Sequence, residues 1–260
     1  MTAGRLQDKV VILTGGTSGI GKASALTFAR DGATVVIGAR NEQAGLEIVA
    51  AIEQDGHGKG LFVKTDVAQP EQVEHLVQQT LSRFGRVDVL YANSGIFPGG
   101  TAPETSLETW RLVIDVNLAG QFYLAKYGIP ALIQTGGRVI IFTASELGTV
   151  GATATVAYCA SKGGVVNMTR AVAIDCAPHG IRVNCLCPGP VETPMLRDWI
   201  NADPNPQKLE QTQKAPVLMK RFGTPEEIAE VALFLASDAS SFMTGAVIVA
   251  DGGATAWYGL

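Results

Sequence analysis

Short apolar runs alternate with longer stretches of helical periodicity along most of the chain. Seven runs, VVILT (10–14), ATVVIGA (33–39), LFVKTD (61–66), VDVLYAN (87–93), RVIIFTAS (138–145), IRVNCLC (181–187) and AVIVAD (246–251), carry apolar residues at consecutive positions instead of alternating. Alternation marks a strand with one buried face, so continuous runs predict strands covered on both. Helical patterns lie between them, at about 19–30, 41–55, 70–84, 106–135, 157–177 and 225–236. TPEE (224–227) and QPEQ (69–72) place proline at an early helical position, where its missing N–H is no loss. Repeated strand–helix–strand units predict an α/β fold: a parallel sheet of about seven strands, right-handed crossovers, helices on both faces.

With no solenoid-period repeat, low-complexity linker or composition break, residues 1–260 read as a single domain. The least regular stretch is 188–224, rich in proline and polar residues, between the sixth strand and the last helix. An insertion of this length predicts a binding loop, and 194–222 is expected to be a lid over an active site.

Composition narrows the function classes. Apolar types make up 47% of the 260 residues and charged types 17%, enough for a large core and too apolar for disorder. Net charge is −4 and no Lys/Arg run exceeds two residues, which argues against nucleic acid as a partner. The start, MTAGRLQDKVVILTGG, lacks a signal-peptide core, and no apolar run approaches the roughly 20 residues of a membrane span. A cytoplasmic protein is expected. Cys159, Cys176, Cys185 and Cys187 have no CxxC spacing and read as buried small side chains, so no metal is expected.

The first strand runs straight into Thr14-Gly15-Gly16-Thr17-Ser18-Gly19-Ile20-Gly21 and then a helix. Glycines at that junction permit a tight turn and close backbone approach to a pyrophosphate, which the free amides of the helix N-terminus bind. A structural turn needs one or two glycines, not four in seven residues, and the Gly-Lys-Ser/Thr ending of a triphosphate loop is missing. A dinucleotide is favoured, and with it a Rossmann-type, doubly wound sheet.

Tyr158 and Lys162, four apart at the start of a helix, project from one face. A free phenol with a pKa near 10 is a poor acid–base catalyst, and a neighbouring ammonium is expected to lower it. Ser145 ends the fifth strand, at the carboxyl edge where open parallel sheets bind ligands, placed to hold a substrate oxygen while Tyr158 moves the proton.

The TGxxxGxG spacing resembles the short-chain dehydrogenase/reductase family, including its 3-oxoacyl-carrier-protein reductase-like and alcohol dehydrogenase members. The resemblance continues through Asp66-Val67, Asn93-Ser94-Gly95, Asn117, Ser145, Tyr158-Cys-Ala-Ser-Lys162, Pro188-Gly189 and Asp251-Gly252-Gly253. It implies hydride exchange with a nicotinamide cofactor. Gly15, Thr17, Ser18, Gly19, Ile20 and Gly21 would hold the pyrophosphate, Asp66 and Val67 the adenine, and Asn93 and Gly95 would lie near the ribose. Tyr158 and Lys162 would also touch the cofactor, Asn117 would organise a proton-relay water, and Pro188, Gly189, Val191 and Thr193 would fix the carboxamide. Ala92 stands where the family usually has Asn, a small departure.

The end of the second strand decides cofactor choice. It reads Gly38-Ala39-Arg40-Asn41, with no acid to accept from ribose hydroxyls and Arg40 available to a 2′-phosphate. A cation just before a helix does not help that helix. NADP(H) is preferred, with NAD(H) left open.

An enzyme acting on a carbonyl compound or its alcohol competes with a non-catalytic dinucleotide sensor on the same fold. A sensor is free to lose the Tyr or Lys, and both are present. An epimerase or dehydratase with YxxxK would need a longer chain. Phe97, Glu146, Leu147, Met195, Leu196 and Trp199 are expected to shape a partly apolar pocket, leaving a sugar, a cyclic alcohol or an acyl thioester open; basic residues that would suit an acyl carrier are scattered. The apolar residues on helices 106–135 and 157–177, with the tail ATAWYGL that nothing in the chain evidently covers, predict a homo-oligomer, most simply a homotetramer.

Overall fold

The structure, a computed structural model, describes residues 4–257; Tyr258, Gly259 and Leu260 of the tail lie outside the described residues. All seven predicted strands form: β1 (Val10–Thr14), β2 (Thr34–Ala39), β3 (Lys59–Lys64), β4 (Val89–Ala92), β5 (Val139–Thr143), β6 (Arg182–Pro188) and β7 (Val247–Ala250). They make one parallel sheet in the order β3-β2-β1-β4-β5-β6-β7. Between them run α1 (Gly19–Arg30), α2 (Glu42–Asp55), α3 (Pro70–Phe84), α4 (Leu107–Ile114), α5 (Gly120–Thr135), α6 (Val156–Cys176), α7 (Pro194–Asn201), α8 (Pro206–Lys214) and α9 (Pro225–Ala236).

The continuous apolar runs now have their reason. Along β1, Val10 and Ile12 enter one core with β4, β5 and β6 residues and helices α3, α5 and α6. Val11 and Leu13, pointing the other way, enter a second core with α1, α2 and α9. Successive side chains serve opposite faces, and both faces are covered. Helix α9 starts as its sequence suggests: Thr224 Oγ1 accepts from Glu227 N at 3.2 Å and Glu227 returns the bond to Thr224 N at 2.8 Å. Because β1 is flanked by β2 and β4, the chain leaves β1 and β4 toward opposite faces, opening a crevice at their carboxyl ends.

Three readings change. The 106–135 pattern is two helices joined by a π-helical turn, Asp115–Ala119, while Pro130 is carried inside α5. The 188–224 stretch is not irregular: it holds α7 and α8, each begun by a capping side chain before proline, with Thr193 accepting from Leu196 N at 3.3 Å and Asn205 from Lys208 N at 3.2 Å. The described part of the tail is covered in part, since Trp257 Nε1 donates to Pro216 O at 2.7 Å and Lys220 lies over its ring.

Large apolar side chains stay exposed on α4 and α5 (Leu107, Trp110, Leu112, Phe122), on α6 (Ile174), before β7 (Phe242) and within it (Val249). Among the described residues no helix is long and apolar enough to cross a membrane.

Candidate active site

A cavity of about 740 Å³ occupies the crevice. One end is lined by Gly15, Thr17, Ser18, Gly19, Ile20, Gly21, Arg40, Asp66, Val67, Asn93 and Gly95, the other by Phe97, Ser145, Glu146, Leu147, Tyr158, Lys162, Pro188, Gly189, Val191, Thr193, Met195, Leu196 and Trp199. The sequence-derived candidates thus meet in one space, with Asn117 buried just behind it.

The glycine loop is built for a ligand that comes close to the backbone. At Gly21 a Cβ would stand 2.0 Å from the Gly15 carbonyl oxygen and 2.6 Å from Asn93 Nδ2, so no side chain fits. Asn93 ties the loop to the end of β4 by donating from Nδ2 to Gly15 O at 3.3 Å. Ser18 heads α1 without using its side chain as a cap, and the first turn carries no acid, so the helix amides are open to an anion. A dinucleotide's pyrophosphate fits this cradle. Arg40 lines the cavity and makes no ion pair among the described residues, whereas Asn41 is occupied, accepting from Ala44 N at 3.1 Å to begin α2.

The reactive end rests on a main-chain atom. Lys162 Nζ donates to the Thr143 carbonyl at 2.9 Å, and Gln121 Nε2 donates to that same oxygen at 2.9 Å and to Asn117 O at 2.9 Å. Asn117 sits in the π turn. Its Oδ1 accepts from Ile96 N at 2.8 Å, and its Nδ2 donates to Ile96 O at 2.9 Å and to Ser161 Oγ at 3.2 Å. A Cβ at Gly95 would be 3.4 Å from both Asn117 Oδ1 and Lys162 Nζ, which makes the two neighbours. Gln121 and Ser161, missed in the sequence, are therefore part of this frame; the one signal was a Gln among apolar residues in NLAGQFYL.

Electrostatically, the site departs from expectation. Burial, opposed by the hydrogen bond with Ser145, pushes the Tyr158 phenol up to about 12, where proximity to Lys162 was expected to bring it down. The lysine ammonium is turned to Thr143, 5.6 Å from the phenol ring centre, and burial lowers its own pKa to about 8. Desolvation outweighs the charge pairing that the four-residue spacing suggests. Phe97 stacks edge-on against Tyr158 and Trp199, with ring centres 4.6 and 5.3 Å apart, forming an apolar wall. Below the catalytic helix, Cys185 and Cys187 are buried free thiols 3.7 Å apart at sulfur.

Comparison with known proteins agrees with this geometry. A family profile described as Enoyl-(Acyl carrier protein) reductase matches residues 15–255. Meso-2,3-butanediol dehydrogenase of Serratia marcescens is 38% identical, over 97% of this chain and 96% of its own. The 2,5-dichloro-2,5-cyclohexadiene-1,4-diol dehydrogenase of Sphingobium indicum is 42% identical, over 96% of this chain and 98% of its own. Among solved structures, levodione reductase superposes with a TM-score of 0.94 at 32% identity, over 97% of this chain and all of its own (100%).

Proposed function

The chain belongs to the short-chain dehydrogenase/reductase family, and from that premise we propose that it interconverts a small carbonyl compound and its secondary alcohol with NADP(H). Its relatives are named dehydrogenases and reductases, and oxidoreductase activity follows from the family. What carries the finer reading is the convergence of Ser145, Tyr158 and Lys162 at one end of a cavity whose other end is a phosphate cradle.

Reduced nicotinamide, when bound, supplies the hydride taken up by the carbonyl carbon. Ser145 holds the carbonyl oxygen. Tyr158 gives that oxygen its proton, completing the alcohol, and the pair runs in reverse for oxidation. The phenolate left behind would be favoured by the Ser145 hydroxyl and by Lys162, which would also hold the nicotinamide ribose. Asn117 would hold the relay that returns the proton, from a π turn where Gln121 Nε2 donates to its main-chain oxygen. Thr193 caps α7 by accepting, so its hydroxyl hydrogen stays free to donate to the carboxamide, beside the Val191 backbone. Phe97, Glu146, Met195, Leu196 and Trp199 enclose the substrate. Loss of NADPH absorbance on adding members of a ketone panel tests the reading; no turnover of any ketone or alcohol with either cofactor overturns it.

Arg40 is the basis for NADP(H). Arg40→Asp removes the cation facing the 2′-phosphate and supplies an acceptor for ribose hydroxyls, so the NADPH-to-NADH ratio of kcat/KM should fall about ten- to a hundred-fold. A wild type that already prefers NAD(H) refutes the assignment.

Residues 194–222 act as a lid. Both ends of the segment are pinned, Glu192 N donating to Gly223 O at 2.8 Å and Gly223 N to Pro190 O at 3.0 Å, while Arg197 of α7 pairs with Glu210 of α8, which Lys214 of the same helix also holds. In hydrogen exchange, 194–222 should exchange fastest without ligand and slow on substrate binding; exchange as slow as in β1 argues against a lid.

The exposed apolar residues of α4, α5 and α6, with those in and beside β7, suit a homotetramer. Light scattering at micromolar concentration should give about four times the 27.2 kDa of one chain. The four free thiols suit the reducing cytoplasm.

A further inference from the structure

Helix α8 spans nine residues and buries none of them, so apolar packing, which fixes most helices in place, does little to position it. Helix α7, just before it, buries Ile200 and lines the cavity with Met195, Leu196 and Trp199. Of the α8 residues, Gln213 alone lines the cavity. The ties that hold α8 to the rest of the chain are polar.

Arg197 supplies the main one. Its guanidinium serves two carboxylates at once: Nε and Nη2 donate to the two oxygens of Glu192, and Nη1 donates to Glu210 Oε2 at 2.7 Å. The other Glu210 oxygen accepts from Lys214 Nζ, one turn further along α8. Both cations lie over the ring of Phe222, Arg197 at 5.7 Å and Lys214 at 4.8 Å from its centre, and that ring is buried. Phe222 precedes Gly223, whose amide and carbonyl pin Pro190 and Glu192. The contacts therefore close on themselves, from Glu192 through Arg197, Glu210, Lys214 and Phe222 back to the 190–192 loop. In that loop Glu192 stands between Val191 and Thr193, which line the cavity, and Thr193 caps α7.

We propose that Arg197 is a positioning residue that couples cofactor occupancy to the placement of α8, through its bridge between Glu192 and Glu210. A planar fork with fixed donors holds two carboxylates in one relative placement, which a flexible ammonium does not. A bound cofactor biases α8 only through a contiguous set of contacts that connects the two. Here the set runs from the Val191–Thr193 loop, ordered by the carboxamide, through Glu192 and Arg197 to Glu210. Helix α8 is then set over the cavity before substrate arrives. This rests on the lid reading above and adds what drives the closure. Exposed ion pairs add little to stability, so losing the bridge frees α8 without unfolding the chain.

Hydrogen exchange of the full chain, alone and with NADPH, tests the coupling. In the wild type NADPH alone should slow exchange in both 194–201 and 206–214. Glu210→Ala cuts the bridge beyond Arg197 and leaves the Glu192 pair intact, so slowing should persist in 194–201 and disappear in 206–214. Arg197→Met should lose it in 206–214 as well, and adding Glu210→Ala to that variant should change nothing further there. In Glu210→Ala the KM of a ketone substrate should rise about ten-fold, as when the competent population falls to about a tenth. Its kcat and NADPH dissociation constant should stay within about two-fold of the wild type. Alanine suits an exposed helical position, so the melting temperature should hold. Slowing in 206–214 that survives Glu210→Ala, or that requires substrate in the wild type, overturns the coupling and leaves the lid reading standing. No slowing anywhere in 194–222 with NADPH and ketone together overturns both.

Discussion

Tyr158→Phe should abolish turnover and leave NADPH binding within about two-fold of the wild type. The substitution deletes one oxygen and keeps the ring, so the edge-on stack with Phe97 and the wall continued by Trp199 survive. What disappears is the proton donor. Positioned acid–base groups contribute about a hundred- to ten-thousand-fold, and a thousand-fold loss of kcat corresponds to about 4 kcal/mol of barrier. The half-buried ring stays packed on Phe97 and only the hydrogen bond with Ser145 is lost, so the melting temperature should change little. Steady-state kinetics with a responsive ketone and fluorescence titration of NADPH separate the two effects. More than about a tenth of kcat retained, under about 1.4 kcal/mol, refutes the role.

Gly21→Ala should cost both cofactor binding and stability. The added Cβ would meet main-chain atoms, Gly15 O at 2.0 Å and Gly15 C at 2.8 Å, which cannot rotate aside as a flexible side chain would. Either the glycine loop lifts, opening the phosphate cradle, or α1 slides off β1 and strains the core around Phe28 and Leu13. Overpacking of this kind costs about 3 kcal/mol, or roughly 5–10 °C in melting temperature. The dissociation constant for NADPH should rise by at least about a hundred-fold. Calorimetric titration alongside thermal melting checks the pair of effects; a normal affinity would show that the loop is not the phosphate site.

The sheet was legible because burial on both faces leaves a clear mark: three to five apolar residues in a row, bounded by glycine or polar residues. The reacting side chains were legible too, since Ser145, Tyr158 and Lys162 need only a strand end and one helical turn to be placed. What escaped the reading depends on shape. Helices α7 and α8 span only 8 and 9 residues, too short for a periodic pattern to stand out, although Met195, Leu196, Trp199 and Ile200 share one face of α7, and Thr193-Pro194 and Asn205-Pro206 carry the start signal of a capped helix. The π turn at Asp115–Ala119 has no residue signature; it forms because Asn117 is tied to Ile96 and Ser161 from two directions. The direction of the Tyr158 shift was misjudged because spacing reports the ammonium and is silent on how thoroughly the pocket excludes water.

The anchor of Lys162 has a mutational consequence. It is the carbonyl of residue 143, and every amino acid supplies the same carbonyl, so no point substitution can delete it. The Thr143 hydroxyl, for its part, has no partner among the described residues. A side-chain change at position 143 therefore leaves the lysine moored, because the mooring is set by the path of β5 and not by the identity of a side chain. The oxygen it carries is shared by Lys162 and by Gln121 behind it.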